Sequence, residues 1–130
     1  MKDNELSDSG IAAIHRKQLQ KGSELEVSGG VVSIQEPHFP PALRHLPYAP
    51  GLLFYKGNVD LLSETSIAIV GARRCTQRAK SLTRSMAKKL ADAGLVIVSG
   101  LAYGVDSAAH NACLNRTVAV LGEGIERAQN

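Results

Sequence analysis

An α/β fold, a parallel sheet with helices on both faces, is what this chain predicts, and three observations predict it. Three short apolar runs each stop on glycine: Ile67-Ala68-Ile69-Val70-Gly71, Val96-Ile97-Val98-Ser99-Gly100 and Val118-Ala119-Val120-Leu121-Gly122. Helical patterns separate the runs, and strands apolar on both sides are those of a buried parallel sheet. Turns follow the first two runs directly, at the carboxyl edge where such sheets bind ligands. The order strand–helix–strand–helix–strand implies right-handed crossovers and a layered sandwich.

The chain has 130 residues, 44% of them apolar and 21% charged, the balance of an ordinary soluble domain. No apolar stretch reaches the roughly 20 residues of a membrane span, and the polar start Met1-Lys2-Asp3-Asn4-Glu5 lacks the core of a signal peptide. Cys75 and Cys113 stand far apart without a paired motif, which points away from a disulfide framework or a zinc site. A cytoplasmic setting is therefore expected. The net charge of +3 is modest, yet Arg73 to Lys89 holds seven basic residues and no acid. A single-sign field of this kind attracts polyanions or phosphorylated ligands.

Residues 1–30 read as a short helical N-terminal segment and linker, with a helix over 10–21 carrying Ile11, Ile14 and Leu19 and stopped at Gly22. Residues 31–130 read as the partial α/β domain. Val31 to Ile34 makes a strand, and Pro37, Pro40, Pro41, Pro47 and Pro50 then permit no more than a helical turn over Ala42–His45. Leu52 to Lys56 is a further strand, closed by the turn pair Gly57-Asn58. The strongest helical pattern runs from Arg78 to Ala93, with Ala79, Leu82, Met86, Leu90 and Ala93 on its expected buried face. Thr76 suits its N-cap and Gly94 its left-handed C-terminal cap. A second helix, Ser107 to Leu114, is expected with Asp106 as N-cap, leading into the strand at Val118, an edge that invites pairing with another chain.

The turn Gly71-Ala72-Arg73-Arg74-Cys75-Thr76 matches neither the lysine phosphate loop nor the G-x-G-x-x-G fingerprint. It can hold an anion by the same physics, through free N–H groups at a helix start and the forks of Arg73 and Arg74. Arg78 and Lys80 lie just inside that helix, where a cation does nothing for helix stability. Lys80, Arg84 and Lys88 form a stripe without interleaved acids, although Lys88 and Lys89 also suit the helix C-terminus. Ser99, Gly100, Ala102, Tyr103 and Gly104 add backbone N–H groups, a hydroxyl and an aromatic ring able to stack on a base. Asp106 with His110 is a capping aspartate and a helix histidine rather than an acid–base pair, and Cys75 has no base beside it. No catalytic residue, metal ligand or cofactor is assigned.

Phe39-Pro40-Pro41-Ala42-Leu43, Pro50-Gly51-Leu52-Leu53-Phe54-Tyr55-Lys56-Gly57-Asn58, Ile69-Val70-Gly71-Ala72-Arg73 and Ser99-Gly100-Leu101-Ala102-Tyr103-Gly104-Val105-Asp106-Ser107-Ala108-Ala109-His110 together closely resemble the DprA/Smf family of DNA-processing proteins. The likeness covers about residues 30 to 125. It implies a Rossmann-like core that binds single-stranded DNA without catalysis, a role in DNA uptake in natural transformation, and a basic pocket using the arginine of the G-x-R turn, here Arg73. It implies a RecA-type recombinase and a homodimer as partners. This chain departs from the family pattern in having Arg78-Ala79 where an aromatic–glycine pair is usual, and a short link without glycine before Thr117. It stops where the family's second half begins, so the N-terminal part of the domain only is expected. The rival expectation is a Rossmann-like nucleotide sensor or an enzyme processing nucleoside monophosphates, which would need a carboxylate pair over the sugar. Only Asp106, with Glu123 as a distant second, could supply one.

Overall fold

The computed structural model describes residues 29–122. The expected helix over 10–21 and the residues after Gly122 lie outside them. The described residues divide into two compact units, one holding residues 29–63 with Leu121 and Gly122, the other residues 64–120.

In the first unit, β1 (Gly29–Ser33) and β2 (Leu52–Lys56) pair antiparallel, with Val32 opposite Leu53. The proline-rich stretch between them keeps a single helical turn, α1 (Pro41–Arg44), with Pro41 at its first position, where a missing N–H costs nothing. Val32, Phe39 and Leu53 form a small core, flanked by Ile34, Leu43 and Tyr55. Gly57 closes β2 in the left-handed region, at φ +104°.

The second unit holds the three strands that the glycine-terminated runs predict. β3 (Ser66–Ala68), β4 (Val96–Ser99) and β5 (Thr117–Ala119) form a parallel sheet in the order β3-β4-β5. Ile67 stands beside Ile97, and Ile97 beside Thr117. α2 (Gln77–Asp92) connects β3 to β4, and α3 (Val105–Ala112) connects β4 to β5. Two successive right-handed crossovers that advance in one direction place both helices on one side of a sheet. Accordingly, Ala87 and Ala91 of α2 share a buried cluster with Ile97 of β4 and with Ala109 and Cys113 at α3.

The ends of α2 are built as the sequence predicts. Thr76 is its N-cap and accepts from the Ala79 N–H at 3.1 Å. At the other end Leu95 N–H donates to the Leu90 carbonyl, Gly94 N–H to the Ala91 carbonyl, and Gly94 sits at φ +93°, which is a Schellman termination.

Its buried face, however, is not the one expected. Thr83, Ala87 and Ala91 are buried, whereas Leu82 and Met86 are 61% and 49% exposed. The seam between α2 and α3 is made of small residues, Ala87, Ala91 and Ala109. Small side chains let helices and sheet approach closely, so they take the centre and the larger ones move to the flank. Two further corrections concern the sheet and α3. The more exposed edge is β3, exposed at all three residues, while β5 is half-buried. Helix α3 begins at Val105 with Gly104 as N-cap and no capping side chain, so Asp106 has another task.

Candidate nucleic-acid interface

Asp106 is 6% exposed, and its carboxylate spans the ends of two strands. Oδ1 accepts from the Gly71 N–H at 3.3 Å, and Oδ2 from the Gly100 N–H at 3.2 Å. The turns after β3 and β4 are thus held together by one side chain from the first turn of α3.

Backbone contacts complete the lock. Val105 N–H donates to the Ala72 carbonyl at 3.2 Å. A Cβ on Gly104 would lie 2.3 Å from the Ala72 oxygen and 2.4 Å from that of Arg73, and its φ is +85°. Glycine is required there twice over, by conformation and by space. A Cβ on Gly71 would strike the Val105 side chain at 2.8 Å. Ser99 Oγ donates to the Ile69 carbonyl at 2.6 Å, joining β4 to the chain just beyond β3. Ser107 donates to the Ala102 carbonyl through both Oγ, at 2.6 Å, and its N–H, at 3.0 Å. Leu101 lies at φ +59°, a strained conformation costing of order 1 kcal/mol or more outside glycine.

The eleven residues expected to hold phosphate therefore divide by place. Gly71 and Gly100 direct their N–H groups to Asp106. Ser99 and Gly104 are buried, and the Ala102 carbonyl is engaged by Ser107. Thr76 is exposed, although its oxygen caps α2. Lys80 is half-buried, while Arg73, Arg74 and Arg78 are exposed, and none of these four cations has an acidic partner among the described residues. Tyr103 is 83% exposed, so its ring is not packed on the sheet. Since Gly104 abuts the Arg73 backbone, Tyr103 stands next to the arginine turn. Of the α2 stripe, Lys88 pairs with Asp92 at 3.0 Å, and Arg84 is exposed without an acidic partner among the described residues.

His110, one turn beyond Asp106, is buried. Thr117 Oγ1 donates to the Ile97 carbonyl at 2.9 Å, so it accepts from His110 Nδ1, 2.7 Å away. Burial pushes the His110 pKa down, opposed by the charge of Asp106 and by the Ser99 backbone. The neutral ring ties α3 to β5 and has no exposed face for proton transfer. Among the described residues no three His, Cys, Asp or Glu side chains converge for a metal, and no helix is long and apolar enough to cross a membrane.

The edge so built offers exposed arginines and an exposed ring on a locked backbone. Comparison with known proteins gives it a context. Residues 30–129 match the model of the family described as DNA recombination-mediator protein A. The chain belongs to that family. DNA processing protein DprA of Streptococcus pneumoniae is 43% identical over 97 residues, which is 72% of this chain and 34% of that protein. Protein Smf of Synechocystis is 38% identical over 98 residues, 70% of this chain and 25% of that protein. The solved structure of the Streptococcus pneumoniae protein superposes with a TM-score of 0.68 at 39% identity, covering 87% of this chain and 40% of that one. DprA from Helicobacter pylori, whose structure concerns its single-stranded DNA binding mode, gives a TM-score of 0.62 at 33% identity over 73% of this chain and 44% of that one. The chain thus spans about a third of the length of its Streptococcus pneumoniae relative, and the Rossmann-like α/β class expected from the sequence holds, with both connecting helices of the described residues on one face of the sheet.

Proposed function

We propose that this chain binds single-stranded DNA through the backbone phosphates, without catalysing a reaction, as part of a recombination mediator. One observation carries the reading: Arg73, Arg74 and Arg78, exposed and without acidic partners among the described residues, share the carboxyl edge of the parallel sheet with the exposed ring of Tyr103. Arginine forks suit phosphate oxygens, and a free aromatic face suits an unpaired base. Nothing at this edge reads a base sequence, so binding is expected to be tolerant of sequence. Within the family, this points to a cytoplasmic role in DNA uptake and recombination, with the bound strand handed to a RecA-type recombinase and a homodimer as the working form.

The test is fluorescence anisotropy of a labelled oligothymidylate titrated with the protein. Arg73→Ala is expected to weaken binding roughly tenfold, the scale of one charge-assisted hydrogen bond at about 1.5 kcal/mol, with an unchanged melting temperature. Equal affinity in the variant and the parent would remove Arg73 from the interface.

A further inference from the structure

The most informative group at the strand ends is the one that points inward. In open parallel sheets ligands bind outside the carboxyl ends of the strands, where free N–H groups of the turns and of the helix N-termini that follow can seat an anion such as phosphate. Here Gly71 and Gly100 supply two such groups, 3.3 and 3.2 Å from the two oxygens of Asp106. The carboxylate sits so close that a Cβ on Gly100 would lie 3.0 Å from Asp106 Oδ2. Its position is not incidental, because Val105 is bonded to the Ala72 carbonyl and Gly104 abuts Arg73, which fix the first turn of α3.

We infer that Asp106 is a specificity-determining residue: it fills the anion seat from within, so that free phosphate and mononucleotides are excluded and only a polynucleotide reaching the outer Arg73, Arg74 and Tyr103 is held. Two effects combine. The N–H donors are consumed, and a phosphate entering the seat would meet a carboxylate with its own negative charge. The neighbouring His110, held neutral by burial, does not offset that charge. A mononucleotide is then left with a single phosphate for the outer arginines, whereas a strand engages several contacts on one backbone and gains from their linkage. The inference rests on the DNA-binding reading for the polynucleotide clause, while the filled seat stands on the geometry alone.

The test follows the amide signals of Gly71 and Gly100 by NMR while inorganic phosphate, and separately thymidine monophosphate, is added to the wild-type chain and to Asp106→Ser. Both amides of the wild type are expected to stay in place, and both are expected to shift saturably in Asp106→Ser. Asp106→Asn, nearly the same size as the native residue, carries the same test if the serine variant does not fold. There the amide facing the new NH2 group is expected to respond and the one facing the remaining oxygen to stay bonded. A saturable shift of either amide in the wild type would overturn the filled seat, as would unresponsive amides in a folded variant. Oligothymidylate binding is read on the same wild-type sample. Its loss would sink the DNA-binding reading and the polynucleotide clause while leaving the filled seat intact.

Discussion

At the scale of single residues, the run from Ser99 to His110 divides its work between holding and presenting. Ser99, Gly104, Asp106, Ser107 and His110 are spent on internal bonds or close approach, and Tyr103 presents the most exposed large group of the run, ahead of Leu101. Tyr103→Ala is therefore expected to lower affinity for oligothymidylate by about 1 kcal/mol or more, the value of one stacked base, and Tyr103→Phe to retain it. Anisotropy with both variants at matched melting temperature checks this. His110 carries a pH dependence of stability. Its pKa in the fold lies below the ordinary 6.5, so between those two values the unfolded chain binds the extra proton. The contribution is fully present above pH 6.5, is lost as the pH falls below it, and levels off under the folded value. Calorimetry across that window is expected to show a falling melting temperature, and His110→Gln a flatter profile. Sequence reasoning could place the arginines and the tyrosine at this edge because their position just after a strand end follows from residue type and place. It missed the task of Asp106, since a carboxylate bridging residues 35 and 6 positions away is a product of strand order.

At the scale of elements, α2 shows how far periodicity carries and where it stops. Both of its ends were legible, because a capping threonine and a left-handed glycine are local devices. Its buried face was not, because the three- and four-residue repeat fits two adjacent stripes, one through Leu82 and Met86 and one through Thr83, Ala87 and Ala91. What decides between them is the narrow seam against α3, which no single-helix pattern contains. The two stripes respond oppositely to substitution. Leu82→Gln is expected to alter stability by about 0.5 kcal/mol or less. Ala87→Leu forces methylene groups into a closed seam and should cost about 1–3 kcal/mol. Urea unfolding of the two variants checks the assignment, and a reversed order would restore the leucine face.

At the scale of the whole molecule, the proposed binding depends on charge distribution more than on net charge. The described residues place cations without acidic partners at one edge and along most of α2, where Lys88 near the C-terminal end pairs with Asp92, while the Arg116–Glu64 pair lies away from that edge. If Arg73, Arg74 and Arg78 each meet one phosphate, the logarithm of affinity should fall with the logarithm of salt at a slope of roughly −2, from about −0.7 per contact on a single strand. Arg73→Ala should make that slope shallower by about 0.7, read from the same titration at several chloride concentrations. The fold class was legible at this scale because three glycine-ended apolar runs alternating with helices admit few arrangements. The exposure of β3 was not, since its sequence is as apolar as that of β4 and only the strand order makes it an edge.

That same order has a kinetic meaning. Every strand of the second unit lies beside its own neighbour in the chain, β3 by β4 and β4 by β5, so no pairing waits for a distant segment. Each crossover closes a loop of moderate length, and the entropy lost in closing loops is what slows parallel sheets most. Residues 64–120 can then assemble during synthesis, once they have cleared the ribosome, strand by strand and in the order in which they are made. On that route the Asp106 bridge closes only after β4 has docked on β3. The edge that carries Arg73, Arg74 and Tyr103 is the late product of a sheet that folds from one side to the other.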